Sequence, residues 1–390
     1  MEGRLHVAHT DGTEGEAGPD DAYVIEPGHD AWVVGDEPVV AFEFESAETY
    51  ARLDSIPERR ARRRPQPHET IWMLTNAVVA SSALHAVAEL GVADHIDDEP
   101  VSIKQLAAAC TVDPGALDRV LCLLAANGIF ERQDDGYGHT DASRLLHSDH
   151  PMSMRAYSRM IGLPVMRASF GRLDHSIRTG SPSIELADDG GLWAYLLQHP
   201  EEREIFGQAM TGKAAADTAA VLSAYDFSRF DTIADIGGGR GHLLRAMLDA
   251  VPTAEGILFD LPDVIASLEI DRDRLTANAG DFFVDPLPTA DAYVLMEVLH
   301  DWPDAETAAI LSAVRRAASP GARVLIIENV LVDVAADLRG HTLDVIMLAI
   351  TGGRERTGEQ FAKLLEAAGF TESTLIHTSG PLRIVEAVVS

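Results

Sequence analysis

The 390-residue chain has only two cysteines, Cys110 and Cys122, both inside apolar helical patterns. That excludes a disulfide-stapled scaffold and any cysteine-based zinc site. Basic residues are scarce: Lys and Arg total 31 against 62 Asp and Glu, a net charge of −31. So acidic a chain repels phosphate backbones and anionic headgroups, so no nucleic acid and no membrane is expected as a partner. No unbroken apolar run approaches the ~18 residues of a membrane span. Met1-Glu2-Gly3-Arg4 leads into no apolar signal core, and cytoplasmic is the expected compartment. What is present is an ordinary globular balance, 46% hydrophobic and 24% charged residues, which supports a real core. At roughly 150 residues per domain the length allows two or three domains.

Residues 1–50 read as a partial β segment, with strands expected at Asp20–Glu26 and Trp32–Phe44 and turns at Pro27-Gly28 and Gly35-Asp36-Glu37-Pro38. Gly18-Pro19-Asp20-Asp21 and Tyr23-Val24-Ile25-Glu26-Pro27-Gly28-His29-Asp30 resemble the second half of a cupin barrel whose first half is missing. His29 is either a surface turn residue or the remnant of a metal cluster. Residues 51–69, with Arg59-Arg60-Ala61-Arg62-Arg63-Arg64-Pro65, read as a basic, proline-bearing linker.

Residues 70–150 turn helical, with Ile71, Leu74, Val78 and Val79 near one face. Ser102 is an expected N-cap, Asp113-Pro114 opens a second helix, and Gly128 to Gly138 reads as a hairpin. Helix, helix, hairpin is a winged-helix layout. The helix in the recognition position carries only Asp118 and Arg119, so a dimerisation or substrate-lid role is favoured over DNA binding. Residues 151–222 read as a helical linker that lines the substrate, with an irregular insertion near Gly180 to Gly191. Met152, Met154, Met160 and Met166 are core residues or line a pocket for a flat apolar ligand.

Residues 223–390 alternate strands and helices, a doubly wound α/β domain of Rossmann type. Strands are expected at Thr232–Ile236, Gly256–Asp260, Ala292–Leu299 and Arg323–Val330, with a closing hairpin at Thr374–His377 and Leu382–Val389. A glycine loop, Asp235-Ile236-Gly237-Gly238-Gly239-Arg240-Gly241, follows the first strand and opens a helix at His242. Gly237, Gly239 and Gly241 let the backbone approach a ligand. Asp235 suits a positively charged amino-acid moiety rather than a pyrophosphate. Asp260, followed by Leu261, ends the next strand and can hold ribose hydroxyls or cap the following helix. Gly280-Asp281-Phe282-Phe283 offers an acid for an adenine amino group and an aromatic cover, or an ordinary turn. In this order the three elements point to S-adenosylmethionine. A fourth, Leu299-His300-Asp301-Trp302-Pro303-Asp304, places His300 after a buried strand as a general base or a structural imidazole. Asp301 or Asp304 is available to cap the next helix.

The glycine loop, His300-Asp301-Trp302, Asp344-Val345-Ile346-Met347-Leu348-Ala349 and Gly352-Gly353-Arg354-Glu355-Arg356-Thr357 resemble the plant-type class I O-methyltransferases, including bacterial natural-product members, over roughly residues 70–390. The resemblance implies an N-terminal dimerisation domain and a homodimer. It also implies a small hydroxylated substrate, His300 as base, and Glu328 and Glu355 as acids flanking that base. No metal is expected, since a sulfonium is already activated. Departures are Met296, where plant members often carry a basic residue, and a segment between Ala349 and Gly352 that is one residue short. Two alternatives stand beside methyl transfer: non-methylating chemistry on the same scaffold, and a ligand-responsive winged-helix regulator.

Overall fold

A computed structural model of the chain describes residues 4–9, 14–17, 29–34, 66–134, 136–268, 273–332 and 337–389. It divides into two compact units, residues 1–71 and 72–390. In the first, β1 (Arg4–His9) pairs antiparallel with both β2 (Glu14–Ala17) and β3 (His29–Val34). The cupin-like motif up to Gly28, the strand expected at Asp20–Glu26, most of the one expected at Trp32–Phe44 and the arginine-rich linker lie outside the described residues.

The helix Pro67–Leu90 runs from the first unit into the second. Its buried positions, Ala83, Val87 and Ala88, lie in its C-terminal half. Trp72, Leu74, Val78 and Val79 are between 54% and 70% exposed. By length and composition alone this helix is apolar enough to cross a membrane. Thr75, Asn76, Ser81, Ser82 and His85 interrupt its apolar residues, so it carries no unbroken apolar run of that length.

Local chemistry then sets the helix–helix–hairpin. The Ser102 hydroxyl accepts from the Gln105 amide at 3.4 Å and the Gln105 side chain accepts from the Ser102 amide at 3.3 Å. This capping box opens the helix Ile103–Cys110. Asp113 accepts from the Ala116 amide at 2.7 Å, ahead of Pro114 at the first turn of Pro114–Ala126. The wing is β4 (Val101–Ser102), β5 (Phe130–Gln133) and β6 (Gly136–His139), in the order β4-β6-β5. Leu106, Leu121, Leu124, Phe130 and Tyr137 fill the core between helices and wing.

The large sheet contains β7 (Thr232–Ile236), β8 (Glu255–Asp260), β9 (Leu275–Ala279), β10 (Ala292–Met296), β11 (Arg323–Glu328), β12 (Phe370–His377) and β13 (Arg383–Val389). Its order is β12-β13-β11-β10-β7-β8-β9, parallel from β11 to β9, with β13 antiparallel to its neighbours. Period-two alternation splits each central strand between two cores. Ile236, Leu295 and Ile326 face one side, and Ile233, Val294 and Leu325 the other. The chain runs outward from β7 through β8 and β9, then returns to β10 on the other side of β7. That reversal opens a crevice at the carboxyl ends of β7 and β10, where ligands bind in open α/β sheets. β9, with Thr276 and Asn278 in a short edge strand, is the sheet element for which the sequence carries no clear signal.

Between the winged helix and the sheet, the helices Arg155–Ile161, Pro164–Phe170, Gly191–Gln198 and Pro200–Ala224 form an apolar wall. Met160 and Met166 are buried in it with Leu192 and Ile350. Met152 is exposed and Met154 is half-buried outside that cluster, so neither is core.

Candidate active site

The glycine loop leaves β7 with Gly237, Gly239 and Gly241 at φ of 70°, 58° and 71°, the left-handed region. At Gly237 a side chain is also excluded by space, since a Cβ would lie 3.0 Å from Val298 and 3.8 Å from Phe282. Beside this bare backbone Asp235 is buried, and its Oδ2 has no hydrogen-bond partner among the described residues. Burial, with the nearby Asp260 charge, pushes its pKa up to about 7. A buried, unpaired carboxylate against an open glycine cradle fits a ligand that brings an ammonium. The donor set therefore suits the amino-acid end of S-adenosylmethionine.

Asp260 closes β8 and accepts from the Gly239 amide at 2.8 Å and the Leu261 amide at 2.7 Å. It braces the glycine loop and does not cap the helix Pro262–Ala266, whose N-cap Leu261 makes no side-chain cap bond. Asp281 follows β9 and accepts from the Phe283 amide at 2.9 Å, while Gly280 donates to the Asp260 carbonyl at 3.0 Å. Phe282 reaches back beside Gly237. Asp235, Asp260, Asp281 and Phe282 thus gather at the ends of three adjacent strands.

His300 lies in a single turn after β10, next to β7, and is buried. Its Nδ1 is 2.9 Å from Glu355 Oε1 and 3.4 Å from Glu328 Oε2. Glu328 ends β11, the neighbour of β10. Its Oε1 accepts from the backbone amides of Val298, Leu299 and His300 at 3.1, 2.9 and 3.3 Å. The three side chains place ligand atoms within 4.8 Å of one another, a spacing a metal ion would accept. Glu355 Oε1 pairs with Nδ1 and Glu328 Oε1 clamps the backbone turn that carries the imidazole, while Oε2 of each acid has no hydrogen-bond partner among the described residues. Nε2 lies 3.9 Å from Asp301 Oδ1. Burial disfavours the imidazolium, but Glu328, Glu355 and Asp301 outweigh it and push the His300 pKa up to about 10. Burial likewise raises Glu328 and lifts Asp301 to about 6.

The segment 351–357 locks this cluster. Gly353 packs on the histidine turn so closely that a Cβ would fall 2.0 Å from the His300 carbonyl oxygen. The Arg354 amide donates to that same oxygen at 2.8 Å. Asp344 accepts from the Glu355 amide at 2.9 Å. Arg356, fully buried, donates to the carbonyls of Leu299 at 2.9 Å and Trp302 at 2.7 Å and to Asp304 at 2.9 Å. Neither Asp301 nor Asp304 caps the following helix, whose N-cap is Pro303 without a side-chain bond. Arg356 has drawn Asp304 away, and Asp301 is half-buried beside the imidazole.

His300 and Asp301 open onto a cavity whose apolar wall includes Tyr157, Met160, Phe206 and Ile346. Two charged residues that sequence reasoning passed over also line it, Lys213 and Glu297, joined by a hydrogen-bonded ion pair. The signal available was a lone lysine in the alanine-rich stretch Lys213-Ala214-Ala215-Ala216 of a chain poor in bases.

A family model described as an O-methyltransferase domain matches residues 170–371, and one described as an O-methyltransferase dimerisation domain matches residues 72–149. The chain belongs to the O-methyltransferase family. It is 38% identical over 325 residues to a phenazine O-methyltransferase of Lysobacter antibioticus, covering 81% of this chain and 94% of that protein. It is 34% identical to the mitomycin biosynthesis 6-O-methyltransferase of Streptomyces lavendulae, covering 83% and 95%. Among solved structures, a methyltransferase of calicheamicin biosynthesis in its S-adenosylhomocysteine-bound form superposes with a TM-score of 0.75 at 31% identity, covering 84% of this chain and 99% of that one.

Proposed function

We propose that this O-methyltransferase moves a methyl group from S-adenosylmethionine to a hydroxyl, phenolic in character, of a small aromatic or polyketide-like molecule, on the plant-type class I architecture. The observation that carries the reading is His300, with Nδ1 held by two buried carboxylates, at the wall of an apolar cavity and one strand from the glycine loop.

Asp235, the loop glycines, Asp260 with Leu261, and Asp281 with Phe282 would hold the cofactor. When bound it supplies a methyl group already activated on a sulfonium, so no metal is needed. Nδ1–H donates to Glu355, which fixes the tautomer and aims Nε2 at the acceptor hydroxyl. His300 takes the hydroxyl proton as the oxygen attacks. Glu328 and Glu355 stabilise the imidazolium so formed. Its pKa near 10 matches that of a phenol, so the proton moves between groups of similar basicity. General-base assistance of this kind is worth ~10²–10⁴-fold. Holding both reactants in line supplies on the order of 7–11 kcal/mol of the barrier. The dimerisation domain and the exposed apolar residues of its first helix favour a homodimer.

The test is incubation with methyl-labelled S-adenosylmethionine and a panel of phenols. Labelled ether and S-adenosylhomocysteine in equal amounts support the reading. Product formed without S-adenosylhomocysteine would shift it to non-methylating chemistry on the same scaffold.

A further inference from the structure

We propose that the Lys213–Glu297 pair selects the acceptor: Lys213 donates to a neutral carbonyl oxygen beside the reacting hydroxyl, so the substrates are aromatic hydroxy-ketones or hydroxy-quinones. This deepens the function proposed above and rests on it.

Lys213 comes from the helix Pro200–Ala224, and Glu297 lies immediately beyond β10, three residues before His300. Each side chain keeps only 11% of its accessible surface. A buried ion pair is a poor source of stability, because desolvation consumes most of the attraction. Glu297 also sits at φ 53°, a left-handed conformation that costs a non-glycine residue roughly 1–2 kcal/mol. Two unfavourable features at one point, in a wall built mostly from Met, Leu, Ile, Phe and Tyr, mark a site retained for a guest.

An ammonium has three donors. Among the described residues Glu297 is the hydrogen-bond partner of Lys213, which leaves donors for an occupant of the cavity. No glycine-loop residue lines this cavity, so the occupant is the acceptor and not the cofactor. A neutral oxygen suits it better than a carboxylate. Glu297 already balances the lysine charge, and Asp301 is close enough to interact with both. With Lys213 paired to Glu297 and the His300 charge paired to Glu328 and Glu355, a second anion there would face Asp301. A lysine hydrogen bond to a carbonyl conjugated with the hydroxyl also withdraws electrons from that hydroxyl, easing proton loss to His300.

Three probes separate the possibilities: 1-naphthol, 1-hydroxy-2-acetonaphthone and 1-hydroxy-2-naphthoate, titrated calorimetrically into the full chain loaded with S-adenosylhomocysteine. The ketone is expected to bind about 10- to 100-fold tighter than the naphthol, the worth of one hydrogen bond to a charged donor. The carboxylate should bind more weakly than the ketone. The paired variant Lys213→Met with Glu297→Gln leaves no unpaired buried charge, and it should erase the ketone preference. Equal binding of ketone and naphthol, a preference for the carboxylate, binding of none of the three, or a ketone preference that survives in the paired variant would overturn the proposal. So would loss of S-adenosylhomocysteine affinity in the paired variant, which places the pair at the cofactor. Methyl transfer to the naphthol with no ketone preference leaves the enzyme standing and removes only this inference. Ketone binding that depends on Lys213, with no transfer to any probe, does the reverse.

Discussion

His300 Nδ1 and Glu355 Oε1 lie 2.9 Å apart, joined across 55 residues of chain. The acid reaches the imidazole because Gly353 allows the segment before it to lie directly on the histidine turn. Removing the Glu355 charge lowers the basicity of His300. On the high-pH plateau, where the base is neutral in both proteins, Glu355→Gln is therefore expected to lower kcat by about tenfold, within the range of base catalysis. The pH profile carries the sign. A base must be neutral to accept a proton, and His300 is held protonated up to about pH 10. For an acceptor that stays un-ionised, wild-type activity rises across pH 7–9, and in Glu355→Gln the rising limb moves to lower pH. A limb that does not move would remove Glu355 from the base.

Asp235 links cofactor binding to pH. Its folded pKa, about 7, lies above the ordinary value of 3.8. Between those values the folded chain holds a proton that the unfolded chain has lost. The free protein therefore loses stability as pH rises through that window, and the cost is complete above about pH 7. Asp235→Asn should raise the melting temperature of the ligand-free protein at pH 8, with the gain fading toward pH 4. A bound ammonium favours the carboxylate, so wild-type affinity for S-adenosylhomocysteine should climb from pH 5 to 7 with proton release. Asp235→Asn should bind more weakly and without that slope. Calorimetry in two buffers of different ionisation enthalpy reads both effects.

Gly353→Ala should destabilise the chain by roughly 1–3 kcal/mol, the usual cost of overpacking, and lower activity, because the new Cβ would strike the His300 carbonyl oxygen at 2.0 Å. Gly358→Ala is the control. It opens the helix Gly358–Ala367, and its Cβ would meet only Leu375 at 3.6 Å and Val330 at 4.0 Å. Thermal melts should separate the two, the first falling and the second unchanged or raised.

The exposed apolar residues Trp72, Leu74, Val78 and Val79 of the helix Pro67–Leu90 are expected to be covered by a second copy. Trp72→Glu with Val79→Glu should halve the mass seen by analytical ultracentrifugation. An unchanged mass would place the interface elsewhere.

What was legible in the sequence follows from the range of each interaction. β7 and the helix from His242 begin where expected, since Thr232–Ile236 is a short apolar run closed by glycines. Ser102 caps as expected, and the second helix opens at Asp113-Pro114 as expected, because a cap and its partner lie within three residues. Lys213 and Glu297 are 84 residues apart, and Arg356 and Asp304 are 52 apart. No spacing rule joins such pairs. Asp304 looked like a local cap and is instead held by a distant arginine. Glu328 and Glu355 were reached only through family resemblance, because nothing in their own neighbourhoods shows that they meet at one imidazole.

The most direct test of the account is the single-turnover rate of His300→Ala with a phenol that the wild type methylates, set beside calorimetric binding of S-adenosylhomocysteine. The account predicts a fall of ~10²–10⁴-fold in the chemical step with cofactor affinity retained, since His300 lies outside the glycine cradle. A variant that methylates at the wild-type rate with its cofactor bound would contradict it.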